Sequence, residues 1–358
     1  MTSTALQQQI RFCKTNDGVR LAYAISGRGP PLLKASNWLS HVEYDWRSPV
    51  WQAFLEQLAR NRTVIRYDER GCGLSDWNVA DLSFESWVRD LEAVADAIGL
   101  RRFPLLGISQ GGAIAMAYTV RHPERVSHLI LYGAYARGLL KRDPTPTQQI
   151  EVDTLFNLIR VGWGRENPAF RQVFTSRFIP GGTEPQIAWF NELCQKTTSP
   201  EIAGALLEAR AHIDVTDLLP QVRTPTLVLH ARRDGVSPFE EGRRLAAGIP
   251  GAQFVELDSP NHILLEDEPA WVRFREAVLD FLGLAGRGGE DPAFASLSPR
   301  EREIFVLVTE GLANAEIASR LGLSEKTVRN HVSNLFDKLG VWTRAQAIVF
   351  ARDRGFRP

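Results

Sequence analysis

Two short apolar runs, IRFCKT and VRLAYAIS, open the chain over residues 10–27. Asn16-Asp17-Gly18 divides them, and this is the pattern of a β-hairpin with a tight turn. After Pro30-Pro31 the rhythm changes to short apolar strands alternating with amphipathic helices. LLKAS precedes a helix around Trp51 to Leu58, TVIRYDE a helix around Phe84 to Ile98, and FPLLGIS a helix from Gln110 to Val120, before the strand HLILYGA. The alternation resumes with TPTLVLHA, a helix near Glu240 to Ala247, AQFVELD, and a helix from Ala270 to Leu282. Such a pattern predicts an α/β fold with a mostly parallel sheet covered by helices on both faces. Residues 137–215 interrupt it with a long helical stretch rich in Arg and aromatics, expected as a lid insert over a pocket. LAGRGGEDPAF, residues 284–294, reads as a linker, so the expected domains are 1–283 and 295–358.

Beyond the linker the period is helical throughout, which predicts a small all-α domain of four helices. Ser298-Pro299-Arg300-Glu301 is a capping box with proline at the first helical position. Ile304, Leu307 and Val308 form its apolar face, and Gly311 falls where the helix should end. A second helix from Asn314 buries Ile317, Ala318 and Leu321, and Gly322 closes it. Ser324 caps a third helix, in which Val328, Val332, Leu335 and Leu339 make a packing stripe. Lys326, Arg329, Asn330 and Ser333 lie on a different face, as cationic or short donors of the type that reaches base edges and phosphates in a major groove. A fourth helix from Thr343 carries Ala347, Ile348 and Ala351. The run LSPREREIFVLVTEGLANAEIASRLGLSEKTVRNHVSNLFDKLGVWTRAQAI resembles the helix-turn-helix domain of LuxR-type (GerE-like) transcription regulators. That resemblance implies that Arg329, Asn330 and Ser333 face bases and that Lys326, Thr327 and Lys338 lie near phosphates. It also implies a homodimer, joined through the fourth helix, on a two-fold related operator in double-stranded DNA.

Composition adds limits. The chain has 358 residues, enough for about two domains. Hydrophobic content of 44% and charged content of 23% are ordinary for a globular protein. Lys+Arg and Asp+Glu are equal at 42 each, but from Ala295 onward ten cations face seven acids. The helical domain thus carries a net charge of +3 and the remainder −3, which makes the former the expected nucleic-acid surface. Cys13, Cys72 and Cys194 are scattered, without metal-ligand spacing, and read as reduced thiols. No metal and no cofactor is expected. No apolar run approaches the length of a membrane span, so a cytoplasmic protein without membrane contact is expected.

The larger domain carries its own chemistry. Gly107-Ile108-Ser109-Gln110-Gly111 is a G-x-S-x-G sequence entered by an apolar strand and left by the small-residue helix GGAIAMAY. That setting predicts a strand-turn-helix elbow which exposes the Ser109 oxygen as a nucleophile. Asp234 and His262 follow in the order Ser, Asp, His, each just past a strand end, where an open parallel sheet gathers its active site. His262 would then take the proton of Ser109, and Asp234 would fix and stabilise the imidazole. RYDERGCGLSD, LLGISQGG, LHARRDGVSP and SPNHILLEDEP resemble recurring segments of the α/β-hydrolase superfamily, over about residues 10–283. The resemblance implies the α/β-hydrolase fold and makes the Gln110 backbone N–H one oxyanion donor. Where relatives carry a histidine-glycine pair this chain has Lys34-Ala35, so the second donor falls to Asn37 or Trp38.

Trp38, His41, Trp46, Trp163 and Trp189 are candidates to line an aromatic pocket, and Arg137, Arg177, Arg210 and His212 to meet an acidic ligand group. Together these features lead to the expectation of a DNA-binding transcriptional regulator whose hydrolase-like domain senses a small molecule, with binding or slow hydrolysis at Ser109. The alternative is an active serine ester or amide hydrolase carrying a DNA-binding domain.

Overall fold

The structure, a computed structural model, describes residues 7–284, 294, 297–353 and 356. The expected linker lies almost wholly outside them. The chain divides into two compact units, Met1–Leu282 and Gly283–Pro358.

The first unit is built on an eight-stranded sheet of order β1-β2-β4-β3-β5-β6-β7-β8. β1 (Gln8–Lys14) and β2 (Arg20–Ser26) form the predicted antiparallel hairpin, and β2 also runs antiparallel to β4 (Thr63–Tyr67). β3 (Pro31–Lys34), β5 (Phe103–Ile108), β6 (Val126–Tyr132), β7 (Thr226–Ala231) and β8 (Gln253–Leu257) extend it with parallel pairings. β5 and β7 are buried at every position, as expected of strands covered on both faces. Helices α1 (Gln52–Ala59), α2 (Phe84–Ala97) and α3 (Gly111–Arg121) connect the first parallel strands. Between β6 and β7 the chain leaves the sheet for four helices, α4 (Pro146–Gly162), α5 (Ala169–Phe178), α6 (Glu184–Thr197) and α7 (Pro200–Ala211). The chain returns through α8 (Phe239–Gly248), β8 and α9 (Pro269–Phe281). Among the described residues no helix is long and apolar enough to cross a membrane.

The second unit contains α10 (Pro299–Thr309), α11 (Asn314–Leu321), α12 (Glu325–Leu339) and α13 (Arg344–Asp353). Its core joins Ile304, Phe305 and Val308 of α10 to Ile317, the α12 stripe Val328, Val332, Leu335 and Leu339, and Ala347 and Ala351 of α13. The predicted capping box is present: Glu301 N donates to Ser298 Oγ at 3.3 Å and Ser298 N to Glu301 Oε2 at 2.8 Å. Gly322 ends α11 at φ +64°, a left-handed conformation that glycine adopts without a Cβ clash. Glu301 also receives Lys338 Nζ at 2.7 Å, which ties the first turn of α10 to the last turn of α12. The hydrogen bonds and charge of Lys338 and Ser298 hold its carboxyl down at about 2, against an ordinary 4.5.

A carboxylate whose folded value is depressed stabilises the fold above its unfolded value and loses that contribution as pH falls through the folded one. The protection of amides across α10–α12 against hydrogen exchange, followed by mass spectrometry and referred to the intrinsic rate at each pH, should therefore fall between about pH 4.5 and 2. Glu301→Ala should show faster exchange already at neutral pH, with a loss of about 1 kcal/mol, as for other helix caps.

Candidate functional site

Ser109 sits between the end of β5 and the start of α3 with φ +54°. A non-glycine residue in this region is strained, and the surroundings must hold it there. Ser109 N donates to Tyr132 O of the neighbouring strand at 3.0 Å, and Gly112 N donates to Ser109 O at 3.0 Å. The turn also depends on missing side chains. A Cβ at Gly107 would lie 2.6 Å from Gly112 Cα, and one at Gly112 would lie 2.3 Å from Ala134 Cβ.

His262 and Asp234 are brought together from loops after β8 and β7. His262 Nδ1 is 2.6 Å from Asp234 Oδ2, and Asp234 Oδ1 accepts Val236 N and Ser237 N at 2.8 Å each. Burial alone would raise the Asp234 carboxyl. The charge and hydrogen bond of His262, with help from His230 and the Ser237 N–H, outweigh it and hold the group below its ordinary value. Tyr132 Oη donates to His262 O at 2.6 Å and fixes the histidine backbone from below. His262 Nε2 is buried and has no hydrogen-bond partner among the described residues. Ser109 and His262 line the same cavity, of about 70 Å³. An acid-oriented imidazole with a vacant nitrogen beside a strained serine can serve as a base in acyl transfer.

The same cavity is lined by Gln110, Asn37 and Trp38. Gln110 stands at the N-terminus of α3, where backbone N–H groups favour negative charge. Lys34, in the place of the usual histidine, is buried, and its Nζ donates to Asn37 Oδ1, while Asn37 Nδ2 donates to Trp38 O at 3.1 Å. The loop is therefore pinned from beneath by a side chain. Trp38 stacks on Trp163, with centroids 5.5 Å apart and planes 5° apart, and meets Phe174 edge-on at 5.0 Å.

Not every expected residue reaches the cavity. His41, Trp46 and Trp189 are not among its lining residues. His41 accepts Tyr44 N on its Nδ1, Trp189 stacks on Tyr44 at 5.2 Å, and Trp46 lies 6.0 Å from the Arg66 guanidinium. Hydrogen bonding and ring stacking around Tyr44 hold His41 and Trp189 in a separate cluster, and Trp46 faces Arg66 instead. Arg137 is tied to Glu241 at 3.2 Å and lines only a second, outer cavity of about 630 Å³. His212 is exposed and lines neither. Arg210 does line the inner cavity, paired with Glu69 and placed between the rings of Trp38 and Trp87 at 4.8 and 5.4 Å. Arg177 lines both cavities, and so does Arg142, which sequence spacing did not single out.

On the second unit, Lys326, Arg329, Asn330 and Ser333 are exposed along α12. Arg329 pairs with Glu325 at 2.9 Å, Lys338 with Glu301, and the Thr327 hydroxyl lies 2.8 Å from Ser324 Oγ.

Comparison with known proteins separates the same two parts. Residues 46–269 match the family model described as serine aminopeptidase, S33, and residues 295–351 the model described as bacterial regulatory proteins, luxR family. The AB hydrolase superfamily protein YisY of Bacillus subtilis is 27% identical over 256 residues, covering 70% of this chain and 91% of the relative. A putative carbamate hydrolase, RutD, of Azorhizobium caulinodans is 27% identical over 277 residues, covering 74% of this chain and 95% of its own. The solved esterase EaEST of Exiguobacterium antarcticum superposes with a TM-score of 0.65 at 26% identity, over 77% of this chain and all of its own length.

The glycine contacts make opposite predictions at two sites. Gly107→Ala forces a methyl against backbone and should lower stability by about 1–3 kcal/mol in denaturant unfolding. Gly204, inside α7, has only Arg160 Cγ at 3.9 Å from the added Cβ. Gly204→Ala should raise stability by about 0.5–1 kcal/mol, the helix-propensity gain.

Proposed function

Because the chain belongs to the serine aminopeptidase S33 family over its larger unit and carries a luxR-family helix-turn-helix domain after it, we propose that it is a transcription regulator whose α/β-hydrolase domain senses a small molecule. The observation that carries this reading is the union of two complete sets of features in one chain. One is the exposed donor face of α12, a row of side chains with little apolar content and no packing duty. The other is a cavity lined by Ser109 and His262, where His262 is oriented by Asp234 from behind and its buried Nε2 has no hydrogen-bond partner among the described residues.

In this reading Arg329, Asn330 and Ser333 read bases in the major groove, and Lys326, Thr327 and Lys338 hold phosphates. The protein acts as a homodimer on a two-fold related operator in double-stranded DNA, with Trp342 and Val349 exposed near the expected contact helix. The α4–α7 insert acts as the lid, and ligand bias on it is the two-state element that a sensor requires. The small molecule reaches Ser109 as a carbonyl compound. Ser109 Oγ attacks its carbonyl carbon, His262 Nε2 accepts the hydroxyl proton, and Asp234 stabilises the imidazolium. Gln110 N–H, with an N–H of Asn37 or Trp38, receives the developing oxyanion. The closed His262–Asp234 bond also favours the second reading, an ester or amide hydrolase with an appended DNA-binding domain. The site is compatible with slow turnover that resets the sensor.

Two measurements test these roles. A fluorophosphonate probe should label Ser109 in the full chain, with His262→Ala slowing labelling by about 10³-fold or more. Absence of labelling under all conditions removes the nucleophile and leaves a binding-only sensor. Selection of bound sequences from random DNA should yield a two-fold related site. Arg329→Ala should cost about 1–3 kcal/mol on it, while Lys326→Ala should weaken all sequences alike and lower the salt slope by about 1. No sequence bound above the non-specific level, with or without ligand, overturns the regulator.

A further inference from the structure

The two cavities share Leu139, Arg142, Arg177 and Val236, so these residues lie at the junction of the outer cavity and the inner one. Two arginines therefore border both the outer cavity and the cavity of Ser109. Their partners are few. Arg142 Nε donates to Arg137 O at 2.7 Å, and its guanidinium lies 4.9 Å from the Tyr135 ring centre. Arg177 Nε and Nη2 both donate to Gly235 O, at 3.1 and 2.9 Å. Every one of these contacts is to a carbonyl or a ring. Among the described residues neither arginine forms an ion pair, whereas Arg137 and Arg210, the other two arginines that line the cavities, do.

The neighbouring carboxylates are mostly committed elsewhere. Glu241 is held by Arg137 and Arg244, and Glu240 by Arg243. Glu151 of α4 lines the outer cavity and forms no ion pair among the described residues, so two positive groups border a cavity with one uncommitted negative group. Arg210, deeper in, differs in kind. Its charge is cancelled by buried Glu69, but its Nε and Nη1 are buried without partners. Spare donors on a neutralised pair suit a neutral oxygen. Unneutralised guanidinium groups with open donors suit an anion, and planar guanidinium matches carboxylate in geometry as well as charge.

We propose that the ligand of this cavity is an anionic acyl amphiphile, its apolar body in the inner cavity and its carboxylate held by Arg142 and Arg177 where the two cavities adjoin. This rests on the reading of the cavity as the ligand site. The inner walls fit the body: Ile108, Leu155, Phe174, Phe178, Leu207 and Val236 are apolar.

Octanoate and octanamide, equal in size and different in charge, provide the test. In the full chain octanoate should protect Ser109 from the fluorophosphonate probe at a concentration about tenfold or more below that of octanamide. Arg142→Gln combined with Arg177→Gln should abolish that advantage, and the double lysine variant should keep part of it. Equal protection by the two compounds, or an advantage that survives in the glutamine variant, overturns the proposal. Should the probe fail to label Ser109, the nucleophile reading falls, and calorimetric titration of the same two compounds decides the present one alone. A preference for octanoate that needs the arginines supports it there. Equal affinity, or binding of neither, overturns it.

Discussion

The turn at Ser109 is the constraint on which the rest of the first unit depends. Its φ of +54° costs on the order of 1–3 kcal/mol in a non-glycine residue, and three close approaches hold it. Gly107 lies against Gly112, Gly112 against Ala134, and Gly111 against Ser36 O, where an added Cβ would stand 2.7 Å away. The last contact matters most for chemistry. It seats the loop of Asn37 and Trp38 directly on the first turn of α3, so that serine, helix terminus and loop share one rigid frame. Strain at the turn is tolerated because the fully buried strand before it and the packed helix after it leave the backbone no other course.

A second set of contacts fixes the acid and base to the insert rather than to the sheet alone. Phe178 O, at the end of α5, accepts both His262 N at 2.8 Å and Ile263 N at 3.3 Å, and the Phe178 ring meets the His262 ring edge-on at 5.4 Å. One residue earlier, Arg177 grips the carbonyl next to Asp234. Gly181 N then donates to Asn261 Oδ1 at 2.8 Å. A five-residue stretch of the insert thus holds the loops of both His262 and Asp234. A displacement of α5 would carry both loops with it, so the sensor and hydrolase readings proposed above draw on the same residues instead of competing for them.

Much of this was legible in the sequence where the determinant is local. The elbow follows from glycine and serine spacing, the strands from apolar runs, and the helical unit from caps at Ser298 and Ser324. Partners in space were harder. Glu69 and Arg210 are 141 residues apart, and only the fold brings them together. Arg142 lies in a short 3-10 turn region with no periodicity to mark it, and its role depends on which cavities it separates. His41 and Trp189 were plausible pocket residues by type, but Tyr44 sits between them and draws both away. Aromatic identity says that a ring will be packed, not against what.

The substitution of Lys34-Ala35 for histidine-glycine looks from sequence like damage to an oxyanion hole. The structure assigns Lys34 a different part. Around it lie Asp45, Asp68 and Glu69 as acids and Arg66 as a second cation, all buried. Burial lowers the Lys34 ammonium and raises the Asp45 carboxyl, and their mutual attraction opposes both effects. Such a network is costly to bury unless its geometry is satisfied, so it tolerates few alternative arrangements. Its hydrogen bonds reach along the whole loop: Lys34 to Asn37, Asp45 to His41 N at 3.3 Å, and Asp68 to Val42 N at 2.9 Å. From the other side Thr197 Oγ1 of the insert donates to Ser40 O at 2.6 Å. Residues 37–42 are therefore fixed by charge and hydrogen bonds rather than by the compactness of glycine. The exchange alters what holds the loop, and in the proposed reading a loop held this firmly would offer donors that do not have to reorganise when charge develops.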